Sequence, residues 1–180
     1  GEGKAEKLKI YCEERGIGCD IMPPVMLDGR IVSSTYIRKL IADGDMEKAA
    51  RYLGHPHTLS DTVHSGYHIG RKLGTPTINM HFPEGVIIPR HGVYAAKVYL
   101  EGGESYVAVT NVGIRPTVAN GNSVTVESHL LDYSGNLYGR QARVEFYKFL
   151  RPEKKFSGFE ELSAQIRCDA ESAKEYFESA

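Results

Sequence analysis

The sequence predicts a mainly β domain, preceded by a short α/β segment and followed by a C-terminal helix. From Thr58 to Arg151, glycines and prolines recur between short apolar runs that often alternate, as strands of an antiparallel sandwich or barrel do. Apolar residues at helical spacing occur only before and after this region. The length of 180 residues fits one domain, or one and a fraction.

The elements before the β region follow from capping and turn residues. Glycines at the ends of apolar-periodic stretches stop helices, and Asp28-Gly29 is a turn dipeptide between two apolar pairs. The predicted elements are a helix over residues 4–14, a strand end or edge over residues 19–25, a turn at residues 28–29, a helix from Ser33 or Ser34 to Gly44, and a helix from Asp45 to Leu53.

Within and after the β region, alternation and a capping box place the remaining elements. The predicted strands cover residues 86–88, 93–100, 106–112, 124–131 and 142–149, with a further extended segment over residues 76–79. Ser157 to Glu160 forms a capping box for a helix with Phe159, Leu162 and Ile166 on one face. A last turn or two carries Ala173, Tyr176 and Phe177.

Composition excludes several classes of protein. The net charge of −1 argues against a nucleic-acid footprint or a membrane-surface patch, and no apolar run is long enough for a membrane span. The cysteines Cys12, Cys19 and Cys168 lack metal spacing, which favours reduced thiols in a cytoplasmic protein. No signal peptide is visible, and the start on Gly1 indicates a fragment or a processed chain.

The stretch from Gly66 to Asn79 indicates a nucleotide–metal site. Its glycines, among them Gly66 and Gly70, allow close approach of a ligand to the backbone, and Arg71 offers donors for phosphate oxygens. In an extended segment Thr77 and Asn79 point to the same side, and oxygen ligands of this kind suit Mg²⁺. A glycine-rich turn that leads into an ordinary strand explains the same residues.

Two further segments have a chemical and a structural interpretation. Ser33, Ser34 and Thr35 with Arg38 form either an anion site at a helix N-terminus or a structural cap. Alternation puts Glu127 and His129 on one strand face, as a general base with a positioning neighbour or as a solvent-facing polar row.

Other common site motifs are missing from the sequence. It has no P-loop, Gly-x-Ser-x-Gly, Cys-x-x-Cys or His-Glu-x-x-His motif. The remaining histidines show no ligand spacing, and most are predicted to be surface residues: His55, His57, His64, His68, His81 and His91.

The segments, in this order, resemble the bifunctional bacterial riboflavin kinase/FAD synthetase family. Residues 58–180 look like its complete C-terminal riboflavin kinase module, and residues 1–57 look like the last part of its FMN adenylyltransferase module. The matching segments are Gly70 to Asn79 (Gly-Arg-Lys-Leu-Gly-Thr-Pro-Thr-Ile-Asn), Gly92 to Ala95, Asn111 to Thr117, Glu127 to Asp132, Leu137 to Gly139, and Leu150 to Glu153 with Phe156.

The resemblance implies a six-stranded antiparallel Greek-key barrel with a C-terminal helix. It also implies transfer of the γ-phosphoryl group of ATP to the ribityl 5′-hydroxyl of riboflavin, with Mg²⁺, to give FMN and ADP. By the same resemblance, Thr77 and Asn79 hold Mg²⁺ and the nucleotide phosphates, and Gly66, Gly70 and Arg71 form a loop over those phosphates. Glu127 would contact the flavin substrate and act as base, and the loop around Arg151 would wrap the flavin ring.

The α/β segment is expected to lack adenylyltransferase activity. Residues 33–38 resemble the second nucleotide motif of that module, but its first motif, His-x-Gly-His, is missing. A non-catalytic flavin-binding barrel remains the alternative function, and oligomeric state is not predicted. Asp61 stands where the family often has glycine, and we expect it to alter a turn without changing the chemistry.

Overall fold

The computed structural model describes residues 4–64, 77–117 and 121–179, without the side chains of residues 115–117 and 121–123. Contacts divide the chain into two compact units, Gly1–Ser33 and Ser34–Ala180. Helices α2 and α3, described below, therefore belong to the same unit as the β domain. The predicted domain boundary between residues 57 and 58 stays a prediction.

The first unit contains a helix and a hairpin. Helix α1 spans Ala5–Glu13, and strands β1 (Met26–Leu27) and β2 (Arg30–Ile31) pair in antiparallel register. Asp28 and Gly29 connect them with φ of 50° and 72°, as a two-residue hairpin turn requires, so the predicted turn is confirmed. The predicted strand over residues 19–25 is wrong, since these residues have no regular structure and two of them are prolines without an N–H to donate.

Two short helices open the second unit, as predicted. Helix α2 spans Ser34–Asp43 and helix α3 spans Met46–Leu53. The Asp45 side chain accepts a hydrogen bond from the Lys48 N–H at 3.3 Å, and Gly54 ends α3 in the left-handed conformation. Their buried faces carry Leu40, Ile41, Met46, Ala49 and Tyr52.

Six strands form one antiparallel sheet, which confirms the predicted mainly β fold. They are β3 (His57–Thr62), β4 (Thr77–His81), β5 (Gly92–Leu100), β6 (Ser105–Thr117), β7 (Gly121–Leu130) and β8 (Gln141–Arg151). Their order across the sheet is β3-β8-β5-β6-β7-β4, so strands distant in sequence are neighbours in space.

The sheet curls until its two edge strands meet. His64, just beyond β3, forms an isolated antiparallel bridge with Asn79 of β4. In this bridge the His64 N–H donates to the Asn79 carbonyl oxygen at 2.8 Å. The bridge closes the barrel at one point along the edges.

Alternation along the strands separates an interior from an outer face. The interior is filled by fully buried side chains that include Met80, Tyr94, Val126 and Phe146. Residues of the opposite parity on β5 and β6, Val93, Ala95 and Val109, pack instead against the C-terminal helix. The alternation predicted for these strands therefore separates two faces, and on β5 and β6 both are buried, one inside the barrel and the other under the C-terminal helix.

Within the β region, the structure differs from the strand predictions in two places. Residues 86–88 form no strand, because the Val86 N–H donates to the Pro83 carbonyl oxygen in a turn and Pro89 follows. Conversely, β3 was not predicted as a strand of its own. Asp61 lies within β3 opposite Ala142, so the expectation that it alters a turn is wrong.

Helix α4 spans Phe159–Ser179 without a break. Ala173 is fully buried against the outer face of the barrel, and Tyr176 and Phe177 pack around it. At the other end, the Ser157 N–H and hydroxyl donate to the Glu161 carboxylate at 3.0 and 2.9 Å, so the capping partner is Glu161 rather than the predicted Glu160. Phe159 is 58% exposed and does not share the apolar face.

Candidate active site

Strand register places Glu127 at the centre of a polar row on the outer face of the barrel. Strand β7 lies between β4 and β6, and Glu127 is directly opposite Asn79 on one side and Asn111 on the other. Two residues along, His129 is opposite Thr77 and Val109. Directly paired residues on neighbouring strands share a face, with Cβ atoms about 5 Å apart. The register therefore brings together the predicted base and the two predicted metal ligands.

A cavity of about 320 Å³ lies between this row and α4, within the size range of small-molecule sites. One part of its wall is polar and includes Thr77, Asn111, Glu127 and His129. The remaining wall has an apolar part contributed by the sheet, the connection from β8 to α4 and the helix: Val93, Val109, Phe156, Leu162 and Ile166. The cavity thus suits a ligand that has both an apolar part and a polar part.

Asn79 carries a buried acceptor without a donor. Its side-chain Oδ1 is shielded from solvent and accepts no hydrogen bond from the residues that the structure describes. A buried unsatisfied oxygen costs about 1–3 kcal/mol, which a cation or a ligand donor at this point would offset. The Thr77 hydroxyl lies on the same strand face, and both groups are oxygen donors that suit Mg²⁺. The residues present therefore fit a magnesium ion held with phosphate oxygens.

Arg151, predicted to lie near the flavin ring, lines the cavity and is held by α4. Its Nε and Nη2 donate to the Asp169 carboxylate at 2.9 and 2.7 Å, and its Nη1 donates to the Pro152 carbonyl oxygen at 3.0 Å. Asp169 is only 5% exposed and also accepts a bond from Gln165 at 2.9 Å. This bidentate pair joins the end of β8 to the middle of α4.

The connection between β8 and α4 forms one wall of the cavity. The Asn111 amide donates to Glu153 Oε1 at 3.2 Å, which ties the connection to the polar row. Lys154 lies 2.6 Å from Glu161, and its hydrogen bond, with those from Ser157, lowers the pKa of Glu161 to about 2. Phe156 lines the cavity and lies in sequence between Lys154 and Ser157, which both contact Glu161.

Three predicted nucleotide-binding residues, Gly66, Gly70 and Arg71, lie outside the described residues. The predicted binding residues of the adenylyltransferase remnant lie within and just before α2, and they are not among the residues that line the cavity. Arg38 Nη1 donates to Ser34 Oγ at 3.3 Å on an exposed helix surface, Thr35 follows Ser34 in the first turn, and Ser33 directly precedes the helix.

Sequence reasoning did not single out Asp169. A signal was nevertheless present, because Leu162, Ile166, Asp169 and Ala173 recur at spacings of four, three and four residues on one helix face. A carboxylate within an apolar stripe calls for a buried cation. Asn111 was named only within a motif, and its place beside Glu127 depends on strand register.

Comparison with known proteins assigns the chain to one family. The family model of riboflavin kinase (flavokinase) matches residues 53–177. The chain belongs to the riboflavin kinase family. The match covers the whole barrel, the cavity and nearly all of α4.

Relatives named bifunctional riboflavin kinase/FMN adenylyltransferase extend the similarity. The protein of Listeria monocytogenes is 35% identical over 177 residues, which cover 98% of this chain and 56% of the relative. That of Haemophilus influenzae is 42% identical over 153 residues, covering 85% of this chain and 49% of the relative. The chain thus spans about half the length of the curated relatives it matches.

Solved structures share the fold of this riboflavin kinase family member. A crystal structure described as a macrolide-efflux protein from Streptococcus pneumoniae has a TM-score of 0.84 and 30% identity, covering 96% of this chain and 55% of that one. The riboflavin kinase of Trypanosoma brucei, 20% identical, has a TM-score of 0.51 and covers 67% of this chain and 79% of its own. Within the described residues, no helix is long and apolar enough to cross a membrane.

Proposed function

We propose that this chain phosphorylates riboflavin at the ribityl 5′-hydroxyl, with ATP as donor, to give FMN and ADP. The observation that carries the proposal is the position of Glu127, opposite Asn79 and Asn111 at the polar part of a cavity with an apolar remainder. The apolar wall accepts the isoalloxazine ring, and the polar row receives the ribityl chain. The reacting hydroxyl then lies beside the carboxylate. A cytoplasmic location follows from the cysteine content and is part of the proposal.

In the proposed reaction Glu127 accepts the proton of the 5′-hydroxyl as that oxygen attacks the γ-phosphorus of ATP. The bond from the γ-phosphorus to the bridging oxygen breaks, and ADP leaves with that electron pair. Thr77 and Asn79 would hold Mg²⁺, which when bound neutralises charge on the phosphates. Phosphoryl transfer depends mainly on positioning and charge stabilisation, so one carboxylate and a pair of oxygen ligands are sufficient protein groups.

The first test is FMN formation by this chain alone. We expect FMN to accumulate from riboflavin and ATP only when Mg²⁺ is present, as measured by separation of the flavins by liquid chromatography. FAD, measured in the same runs, should stay at background. Flavin binding without FMN formation under these conditions would favour a non-catalytic flavin-binding barrel instead.

A second test uses substitutions of the proposed metal ligands, which a kinase requires and a non-catalytic flavin-binding barrel does not. Thr77→Ala and Asn79→Ala should each lower kcat by about 100-fold, or about 2.7 kcal/mol of transition-state stabilisation, while riboflavin binding changes little. The matched control is Asn136→Ala, an exposed position outside the cavity lining. If the two site variants turn over like the control, Thr77 and Asn79 have no role in the reaction.

A further inference from the structure

A second group of potential ligands lies at the seam between β3 and β4. Asp61, His64 and His81 each offer one ligand atom, and these atoms all lie within 4.8 Å of one another. None of the three lines the cavity. Their separations in sequence, three and seventeen residues, hide the group from a search for ligand spacing.

The Asp61 carboxylate is oriented by the backbone. Its Oδ1 accepts the Thr62 N–H at 2.8 Å, and its Oδ2 accepts the His81 N–H at 2.8 Å. These bonds hold the carboxylate in place before any ligand binds, as outer hydrogen bonds do around metal sites. The same Oδ2 lies 3.1 Å from His64 Nε2 and 3.9 Å from His81 Nδ1.

The two imidazole rings are adjacent and accessible. Their centroids are 4.8 Å apart in an edge-to-face arrangement. The His64 and His81 side chains are 47% and 50% exposed, so an ion has a path of entry and the rings have room to turn. In a tetrahedral zinc site the donors are about 3.4 Å apart. The ligand atoms here lie within 4.8 Å of one another, so the rings would have to move closer around the fixed carboxylate when an ion binds.

We propose that Asp61, His64 and His81 bind a divalent transition-metal ion of the zinc type. Two imidazole nitrogens with one carboxylate oxygen suit Zn²⁺ or Co²⁺, whereas Mg²⁺ prefers oxygen ligands alone. A water molecule would take the fourth position. This site differs in donor chemistry from the oxygen ligands Thr77 and Asn79, and it does not depend on the proposed kinase activity.

An ion bound by Asp61, His64 and His81 would stabilise the contact between β3 and β4. His64 pairs with Asn79 in the bridge that joins the barrel edges, Asp61 belongs to β3, and His81 is the last residue of β4. A bound ion therefore crosslinks the two edge strands where they meet. Binding to the folded chain alone raises its stability according to the ratio of free ion to Kd.

The test uses Co²⁺ as a spectroscopic probe and Zn²⁺ as a competitor and stabiliser. We expect the dialysed chain to take up a single Co²⁺ with visible d–d absorption, which Zn²⁺ displaces and Mg²⁺ does not. At Zn²⁺ about 100-fold above Kd, Tm should rise by roughly 5–10 °C. His64→Gln and His81→Gln should each remove the absorption and the Tm shift.

The matched control is His55→Gln, the same change at an exposed histidine outside the cluster. It should bind Co²⁺ and respond to Zn²⁺ like the unmodified chain. Far-UV circular dichroism and the metal-free Tm show that each variant folds. Equal Co²⁺ spectra for the unmodified chain and the two cluster variants, or no d–d absorption in the unmodified chain, would overturn the proposal.

Discussion

At the scale of single residues, the chemistry depends on which side of β7 a side chain occupies. Glu127 and His129 lie on the cavity side, while Val126 and Ser128 are fully buried in the barrel. Buried Ser128 is paired with Thr110, with the two hydroxyls 2.9 Å apart, so these two interior hydroxyls satisfy each other. A shift of one residue in register would exchange these faces.

The proposed base gives the sharpest prediction at this scale. Glu127→Gln keeps the shape of the side chain but removes its capacity to accept a proton, so we expect kcat to fall by about 10²–10⁴-fold. Riboflavin binding, followed by flavin fluorescence, should change little. Glu104→Gln, at an exposed position in the turn between β5 and β6, is the matched control and should retain full activity. A Glu127→Gln variant with near-normal kcat would remove Glu127 from the role of base.

The residues that the sequence identified are those whose signal is local. Thr77 and Asn79 are two residues apart on one strand, and Glu127 and His129 follow the same alternation, so period-two reasoning places each pair on one face. The roles of Asn111 and Asp169 depend on partners that are distant in sequence. Asn111 is paired with Glu127 on the neighbouring strand, and Asp169 accepts hydrogen bonds from Arg151. No local pattern carries that information except the acid in the apolar stripe of α4.

At the scale of elements, the connection from β8 to α4 determines the shape of the cavity. It is fixed at one end by Arg151 and Asp169, and at the other by the contacts of Glu161 with Lys154 and Ser157. Sequence reasoning placed the start of α4 at Ser157 and its stripe through Leu162 and Ile166, since both signals are local, but it named Glu160 instead of Glu161 as the capping partner and counted the exposed Phe159 in the stripe. It did not predict that the stripe covers the outer face of the barrel, because that requires the order of strands.

Breaking the pair between Arg151 and Asp169 should loosen this wall. The side chains are 22% and 6% exposed, so Asp169→Asn leaves a largely buried guanidinium without its counter-charge. We expect a loss of about 3 kcal/mol in the free energy of unfolding, measured by urea denaturation. The KM for riboflavin should rise more than the KM for ATP, since Arg151 lines the cavity.

The control for this change is Asp132→Asn. Asp132 forms an ion pair with Lys174 at 2.8 Å, but its side chain is 80% exposed. Solvent screening limits such a pair to about 1 kcal/mol or less, so the stability and the KM values should stay close to those of the unmodified chain. Equal stability losses for Asp132→Asn and Asp169→Asn would contradict the buried character of the pair with Arg151.

At the scale of the whole molecule, the barrel is completed by contacts that join distant segments. Strands β3 and β8 are neighbours although most of the β domain separates them in sequence. The edge strands β3 and β4 meet through the bridge between His64 and Asn79 and through the hydrogen bond from the His81 N–H to Asp61. The fold class followed from alternation and turns, but the strand order entered only through the resemblance to a family. The hydrophobic pattern of a strand determines which of its faces is buried, but it does not determine which other strands pair with it.

His57 connects three of these segments and makes their association dependent on pH. It lies at the start of β3, is 8% exposed, packs against Phe146 of β8, and its Nε2 is 2.9 Å from the carbonyl oxygen of Ile87. Burial lowers the pKa of His57 below its ordinary value, and the hydrogen bond to Ile87 opposes this shift only in part. The folded chain therefore holds the neutral ring at a pH where the unfolded chain is already protonated.

The sign of the effect follows from proton linkage. The unfolded chain binds more protons once the pH falls below about 6.5, so stability is complete above that pH and decreases below it until the folded pKa is reached. The slope from one group is at most about 1.4 kcal/mol per pH unit. In urea denaturation between pH 7.5 and pH 5, His57→Gln, which keeps an N–H donor for Ile87, should flatten the decrease. His91→Gln, the same change at a histidine outside these contacts, should leave the decrease in place, and equal slopes for the two variants would mean that His57 does not set the pH dependence of the barrel.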